Sequence, residues 1–172
     1  SVAGGIPVIK ALREGLTGNA VSRVYGIMNG TCNYILTRME REGLTFEACL
    51  KDAQALGYAE ADPTFDVEGF DTAHKLAILT SLAFGTEVDA EGVSVEGISA
   101  IQPLDLTMAE ELGYRIKLLG VAQAADHALQ ARFLRHDVQS ALGGHFVPAF
   151  RHQHGHFRLQ RAGDAHHFVG GR

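Results

Sequence analysis

A long apolar helix is predicted from Gly69 to Phe84 in this sequence of 172 residues. After Lys75 its residues are apolar nearly all round, with only a threonine and a serine interrupting the pattern. A helix of this kind must be covered by other elements on most of its sides. The rest of the fold therefore has to be built around 69–84, and Lys75 is expected at the rim of the buried region.

Shorter patterns predict the elements that would cover this helix. Periodicity and the start and stop signals of helices indicate four helices: one after Pro7, one from its cap Thr31 to about Glu42, one over 46–56 capped by Thr45, and a short one opened by a Thr107–Glu110 capping box. Strands are indicated over 21–27 and 93–101 and near 115–122 and 128–135. The stretch 57–68 is predicted to be a loop. This order predicts an α/β (α+β) fold in which a mixed β-sheet carries helices on one face. We expect the sheet to be incomplete within this chain.

Composition excludes several classes of protein. A net charge of −5 does not favour a dedicated nucleic-acid binder. No apolar run reaches the roughly 18 residues of a membrane span, and no signal peptide is recognisable. The only cysteines, Cys32 and Cys49, are typical of reduced thiols rather than of a disulfide framework. We therefore expect a soluble, cytoplasmic, enzyme-like domain.

The composition changes near residue 126, so we divide the chain into a domain over 1–125 and a divergent His- and Arg-rich segment over 126–172. Eight of the nine histidines lie in the second segment, which has no Lys or Glu. His152, His154 and His156 would share one face of a strand and could bind a metal ion. The alternative is an altered or out-of-frame C-terminus, which the lost apolar periodicity also fits.

The start of the apolar helix carries the first candidate site. Asp71 and Lys75 are four residues apart, so they share one face of the helix. A lysine at the edge of a buried region can exchange a proton with a substrate hydroxyl. Glu60, Asp62 and Asp66 precede the pair, and such a carboxylate cluster suits an ammonium group or a cation. The alternative is an ordinary surface salt bridge beside a solvated acidic loop.

Two small-residue turns are further candidates. Asn29, Gly30 and Thr31 lie between a predicted strand and a predicted helix, where a glycine admits close approach of a ligand and the helix start offers free amide donors. The alternative is an ordinary helix-capping turn, which would have the same sequence pattern. Val2 and Gly4 could present backbone carbonyls to a hard cation. No Walker loop and no G-x-G-x-x-G motif is present.

Taken together, several sequence blocks resemble homoserine dehydrogenase. The blocks are Ser1–Pro7, Gly26–Ile35, Gly57–Leu76, Val95–Ile98 and Gly113–Gly120. The third is long and specific, and the resemblance covers about residues 1–125. It implies the NAD- or NADP-dependent interconversion of L-homoserine and L-aspartate 4-semialdehyde, a step of threonine, methionine and isoleucine biosynthesis.

The resemblance also implies roles for the candidate residues. Lys75 matches the general acid/base that acts on the substrate hydroxyl, and Asp71 matches the aspartate that holds this lysine and the substrate. Glu60 and Asp66 match carboxylates that bind the polar groups of the substrate, including its ammonium. Gly30 and Thr31 match the turn near the nicotinamide and the substrate. Val2 and Gly4 match a segment whose carbonyls hold a monovalent cation such as sodium in some members.

Further expectations concern the assembly. The resemblance implies a homodimer formed through this domain, and an N-terminal Rossmann domain that the 172-residue sequence does not contain. We therefore expect the fragment alone to be inactive. Two alternatives stay open at this stage. One is a lyase that forms a Schiff base on Lys75, and the other is a non-catalytic remnant that dimerises with intact subunits.

Overall fold

The computed structural model describes the backbone of residues 2–125, 128–137, 150–151 and 157–158, and the side chains of residues 2–124. The elements in chain order are α1 (Val8–Lys10), which continues as a π-helical turn over Ala11–Gly15, β1 (Arg23–Gly26), α2 (Gly30–Glu42), α3 (Phe46–Ala55), α4 (Thr64–Val67), α5 (Phe70–Phe84), α6 (Pro103–Glu111), β2 (Ile116–Ala125), β3 (Ala128–Asp137), β4 (Phe150–Arg151) and β5 (Phe157–Arg158). In the described part of the chain, no helix is both long and apolar enough to cross a bilayer.

The main sheet has three strands in the order β1-β2-β3. Gly26 pairs with Gly120 in β1–β2, and Ile116 pairs with Asp137 in β2–β3. Helices combined with a sheet confirm the predicted fold class, and the hairpin predicted from 115 to 135 is also confirmed. All strand pairs in the described ranges are antiparallel, so the parallel pairing of a mixed sheet does not occur among them.

Helices α5 and α2 lie against the sheet and enclose the core. The side chains of Leu118 and Ala122 on β2 are fully buried, and Leu118 belongs to the cluster formed with α2, α3 and α6. Gly120, between them, allows close approach of α5, because an added Cβ would lie 3.3 Å from Thr72 Cγ2. The sheet therefore supports the helix that carries the Asp71–Lys75 pair.

The burial of α5 is one-sided. Leu76 and Thr72 are fully buried, as the apolar pattern predicted. Phe70 and Ile78, however, are 44% and 38% exposed, and His74 between them is exposed as well. The prediction of deep burial after Lys75 is therefore wrong at Ile78. Phe65 of α4 lies against this face, with its ring centroid 6.4 Å from that of Phe70 and 5.4 Å from that of His74, but it leaves both side chains exposed.

Helix caps are confirmed in one place and corrected in two. Thr45 caps α3 by accepting a hydrogen bond from Ala48 N at 3.3 Å, as predicted. The predicted cap of α2 is wrong: Asn29, not Thr31, accepts from the backbone, at 2.9 Å from Cys32 N. Helix α6 begins earlier than the Thr107–Glu110 box predicted. Its N-cap is Gln102, whose backbone N–H donates to the side chain of Asp105 at 2.8 Å, so Thr107 lies within the helix.

The predicted strand over 93–101 is wrong. Only an isolated bridge at Ser94 appears there, and the buried residues Val93, Ile98 and Ile101 do not follow the alternation of a strand. The backbone N–H of Ile98 donates to Val67 O at 2.8 Å, so the segment bonds to helix α4 rather than to a strand. Helix α4 itself lies within the stretch 57–68 that was predicted to be a loop.

A buried ionic cluster joins α2 to β2. Glu40, whose side chain is 7% exposed, lies 3.2 Å from Arg115 and 3.8 Å from Lys117. Lys117 Nζ also donates to Thr37 Oγ1 at 3.0 Å. Burial lowers the pKa of Lys117, and the Glu40 carboxylate opposes this shift. The cluster holds one side of α2 on the sheet.

Candidate active site

Lys75 and Asp71 form an ion pair at the rim of the core. Lys75 Nζ donates to Asp71 Oδ2 at 2.5 Å and to the main-chain oxygen of Met28 at 3.0 Å. Their side chains are 23% and 20% exposed, so the pair is neither open to solvent nor sealed. An ammonium has three donors, and two of them make these contacts. The geometry therefore suits a lysine that is held in place while it faces a small ligand.

The side chain of Asn29, to which the sequence analysis gave no role, links Asp66 to this pair. Asn29 Nδ2 donates to Asp66 Oδ1 at 2.7 Å and to Asp71 Oδ2 at 2.8 Å. Asn29 is 4% exposed and lies in the linker between β1 and α2. The structure thus brings Asp66, Asp71 and Lys75 into one group. The available signal was the Asn directly before a helix, which is a favoured N-cap, but the cap was assigned to Thr31.

The other acidic residues of the loop lie apart from this group. Asp62 Oδ1 accepts from Thr64 N at 3.1 Å and from the Thr64 hydroxyl at 2.6 Å, and these bonds lower the pKa of Asp62. This carboxylate therefore shapes the turn that opens α4. Glu60 is exposed, and its main-chain oxygen accepts from Gln54 Nε2 at 3.0 Å. Within residues 2–124, no hydrogen bond joins the Glu60 carboxylate to Asp66 or Asp71.

Gly30 and Thr31 form the first turn of α2, directly after Asn29. Gly30 is exposed, and a Cβ added there would meet no atom within 4 Å. The Thr31 hydroxyl donates to Tyr58 O at 2.8 Å and so ties the start of α2 to the loop after α3. Space at Gly30 beside a helix start is consistent with the approach of a planar ring or an anionic group.

The predicted cation segment is a tight turn ahead of α1. Ile6 N donates to Ala3 O at 2.8 Å, and Ala3 and Gly5 have positive φ angles of 50° and 83°. In the described part of the chain, no group of three or more His, Cys, Asp or Glu side chains is arranged to hold a metal ion. The predicted cluster of His152, His154 and His156 lies outside the described residues.

Cys32 lies directly beneath the carboxylates. It is fully buried, and its Sγ donates to Asp66 O at 3.1 Å. Burial, reinforced by the charges of Asp66 and Asp71, raises the pKa of Cys32 to about 12. The thiol is therefore neutral and unreactive at physiological pH, and it supports the backbone of Asp66.

Comparison with known proteins connects this site to one family. The family model for homoserine dehydrogenase matches residues 7–151. Homoserine dehydrogenases from Neisseria gonorrhoeae and Pseudomonas aeruginosa are 54% and 55% identical to the chain over 132 residues, which is 77% of this chain and 30% of each relative. The chain therefore spans about a third of the length of these relatives.

Comparison with solved structures leads to the same family. A homoserine dehydrogenase from Thiobacillus denitrificans has a TM-score of 0.79 and 53% identity, over 82% of this chain and 33% of that one. A hyperthermophilic archaeal homoserine dehydrogenase, solved in complex with NADPH, has a TM-score of 0.61 and 26% identity, over 81% of this chain and 38% of that one. The fold, the match over residues 7–151 and the high identity to these relatives lead to one conclusion: the chain belongs to the homoserine dehydrogenase family.

Proposed function

We propose that this chain is the substrate-binding and catalytic part of a homoserine dehydrogenase, which interconverts L-homoserine and L-aspartate 4-semialdehyde. The observation that carries the proposal is the position of Lys75 Nζ, held between Asp71 Oδ2 at 2.5 Å and Met28 O at 3.0 Å. Membership of the family supports the same reaction, and we propose that it serves threonine, methionine and isoleucine biosynthesis.

Lys75 is the proposed acid/base. In the reductive direction the ammonium donates a proton to the aldehyde oxygen, and in the oxidative direction the neutral amine accepts the hydroxyl proton. Asp71 keeps the amine in place in both directions, because its Oδ2 lies within hydrogen-bond distance of Nζ. NADP or NAD, when bound, exchanges the hydride with the substrate carbon.

Neighbouring residues are proposed to bind the rest of the substrate and the cofactor. Asp66 shares Asn29 with Asp71, so it is near enough to the lysine for its carboxylate to bind the substrate ammonium. Glu60 would contribute a second carboxylate from the exposed loop. Gly30 and Thr31 would lie beside the nicotinamide and the substrate, consistent with the open space at Gly30.

The remaining proposals concern ions, assembly and location. The carbonyls of Val2 and Gly4 would hold a monovalent cation such as sodium. The protein would be a cytoplasmic homodimer, with no nucleic-acid or membrane partner. Light scattering of the purified protein at micromolar concentration tests the dimer, and a mass equal to one chain would contradict it.

Turnover by the 172-residue segment alone is not expected. The segment spans about a third of its relatives and has no G-x-G-x-x-G motif, while hydride transfer needs a positioned nicotinamide. Homoserine-dependent formation of NADPH or NADH by the purified segment would contradict this expectation. An inactive segment that co-purifies with an intact subunit would instead support a non-catalytic partner role.

The catalytic proposal is tested in the complete product of the gene that carries this sequence. Lys75→Met should lower kcat for homoserine oxidation by about 10²- to 10⁴-fold, because a positioned proton-transfer group contributes that much. Lys51→Met, at an exposed lysine of α3, is the matched control and should change little. Equal activity of the two variants would contradict the role of Lys75. Borohydride with the semialdehyde should trap no adduct on Lys75, whereas a Schiff-base lyase would give one.

A further inference from the structure

We infer that Asn29 is a positioning residue that holds the two active-site carboxylates at a fixed separation. This inference rests on the proposed function, and it adds a residue for which neither the sequence motifs nor the resemblance provided a role. Asn29 Nδ2 carries two protons and donates to Asp66 Oδ1 at 2.7 Å and to Asp71 Oδ2 at 2.8 Å. One neutral amide nitrogen thus lies between two groups that would otherwise repel each other.

The orientation of this amide is set from its other end. Asn29 Oδ1 accepts from Cys32 N at 2.9 Å, as the N-cap of α2. Because only the oxygen can accept from a backbone N–H, the nitrogen must face the carboxylates. The main-chain oxygen of Asn29 in turn accepts a hydrogen bond from Asn33 Nδ2 at 3.0 Å, which fixes the backbone as well. The 4% exposure of Asn29 leaves little room for another rotamer.

The position of Asn29 couples it to the lysine. Asp71 Oδ2 accepts from both Asn29 and Lys75, and the preceding residue, Met28, accepts from Lys75 through its main-chain oxygen. Two adjacent residues of the β1–α2 linker therefore hold both members of the ion pair. Asn29 thus fixes each carboxylate through one of its two oxygens.

Two substitutions separate this role from helix capping. Asn29→Asp has nearly the same shape and Asn29→Ser is shorter, and both residues are favoured N-caps, so both keep an acceptor for Cys32 N. Neither can donate to two carboxylates. Thr45→Ala is the matched control, because it removes the cap of α3 and leaves the carboxylates untouched.

Steady-state kinetics and thermal unfolding of the complete gene product provide the test. Asn29→Asp should lower kcat for homoserine oxidation by about 10- to 100-fold, since misplacement of reacting groups by about 1 Å has effects of that size. Asn29→Ser should lower kcat less, because it adds no third carboxylate. Thr45→Ala should lower the midpoint of unfolding and leave kcat at the wild-type value.

A swapped pair gives a readout that does not depend on activity. Asn29→Asp combined with Asp71→Asn restores one amide–carboxylate bond in the reverse direction. This double variant should recover most of the unfolding midpoint that Asn29→Asp loses, while its kcat should stay at or below the reduced value of Asn29→Asp. Recovery of this kind is not expected if position 29 serves only as a cap.

The outcomes are distinct. Wild-type kcat and KM in both Asn29 variants, or no recovery of the midpoint in the swapped pair, would overturn the inference while the proposed function stands. A wild-type gene product that does not oxidise homoserine overturns the proposed function and, with it, this role of Asn29.

Discussion

The backbone N–H of Ile98 donates to the carbonyl oxygen of Val67 at 2.8 Å, and this bond fastens the segment after α5 to the short helix that carries Asp66. The Ser99 hydroxyl adds a second link, to Glu68 Oε1 at 2.6 Å. Gly97 allows this segment to lie against the end of α4, because a Cβ there would lie 2.6 Å from both Glu68 Cα and Val67 O. The helix that carries Asp66, the proposed ligand of the substrate ammonium, is thus held by a part of the chain about 30 residues away.

Gly97→Ala should therefore damage the site through α4. The added methyl group meets backbone atoms that cannot rotate away, so we expect a loss of about 1–3 kcal/mol of stability, together with a higher KM for homoserine. Gly18→Ala is the control, since a Cβ there meets nothing within 4 Å. Chemical denaturation and initial rates measure the two effects, and similar values for both variants would contradict the packing argument.

Asp71→Asn should impair the lysine without unfolding the protein. The substitution turns the charged carboxylate into a neutral amide, so Lys75 and Asn29 lose the charged acceptor that both use. We expect kcat to fall by about 10- to 100-fold, by analogy with other groups that orient a reacting residue. Asp52→Asn, in the more exposed pair with Arg38, is the control and should keep wild-type kcat.

Glu40→Gln should destabilise the protein far from the site. Loss of this carboxylate leaves Lys117, 15% exposed, without its close anionic partner, and breaking such a pair costs about 3 kcal/mol. Glu14→Gln breaks the exposed Lys10–Glu14 pair and should change the free energy of unfolding very little. Urea unfolding at neutral pH measures both, and equal effects would mean that burial of the cluster does not matter.

Cys32 should make stability fall at alkaline pH. Its pKa is raised from 9.0 to about 12, so between these values the native state keeps a proton that the unfolded chain has lost. The free energy of unfolding must then decrease as pH rises through this window, by up to about 1.4 kcal/mol per pH unit. Below about pH 9 the contribution of the thiol is constant.

Cys32→Ser tests this dependence, because the hydroxyl does not titrate in this range and can still donate to Asp66 O. The variant should show a shallower decline than the wild type between pH 9 and 11 in guanidinium unfolding. Parallel curves for the two proteins would show that Cys32 does not cause the decline.

Local signals in the sequence predicted most of the helices and strands and, within the site, the Asp71–Lys75 pair. The spacing of Asp71 and Lys75 was sufficient to place them on one helix face, and the glycine after α2 marked its end correctly. The contribution of Asn29 could not be predicted, because its partners are 37 and 42 residues away and depend on how α4 and α5 meet the linker. The segment 93–101 is rich in the residues of a strand, but its backbone bonds to α4 and its buried side chains follow no alternation, which only the packed structure could show.

Helix α4 is only four residues long, yet its Val67 belongs to the same buried cluster as residues of α2, α3 and β2. Val67 also accepts a hydrogen bond from Ile98 N, and Asp66 accepts one from Asn29. A short element that is tied to the core in this way opens together with its surroundings. Upon warming or in denaturant, homoserine recognition should therefore be lost together with the circular dichroism of the long helices and not before it.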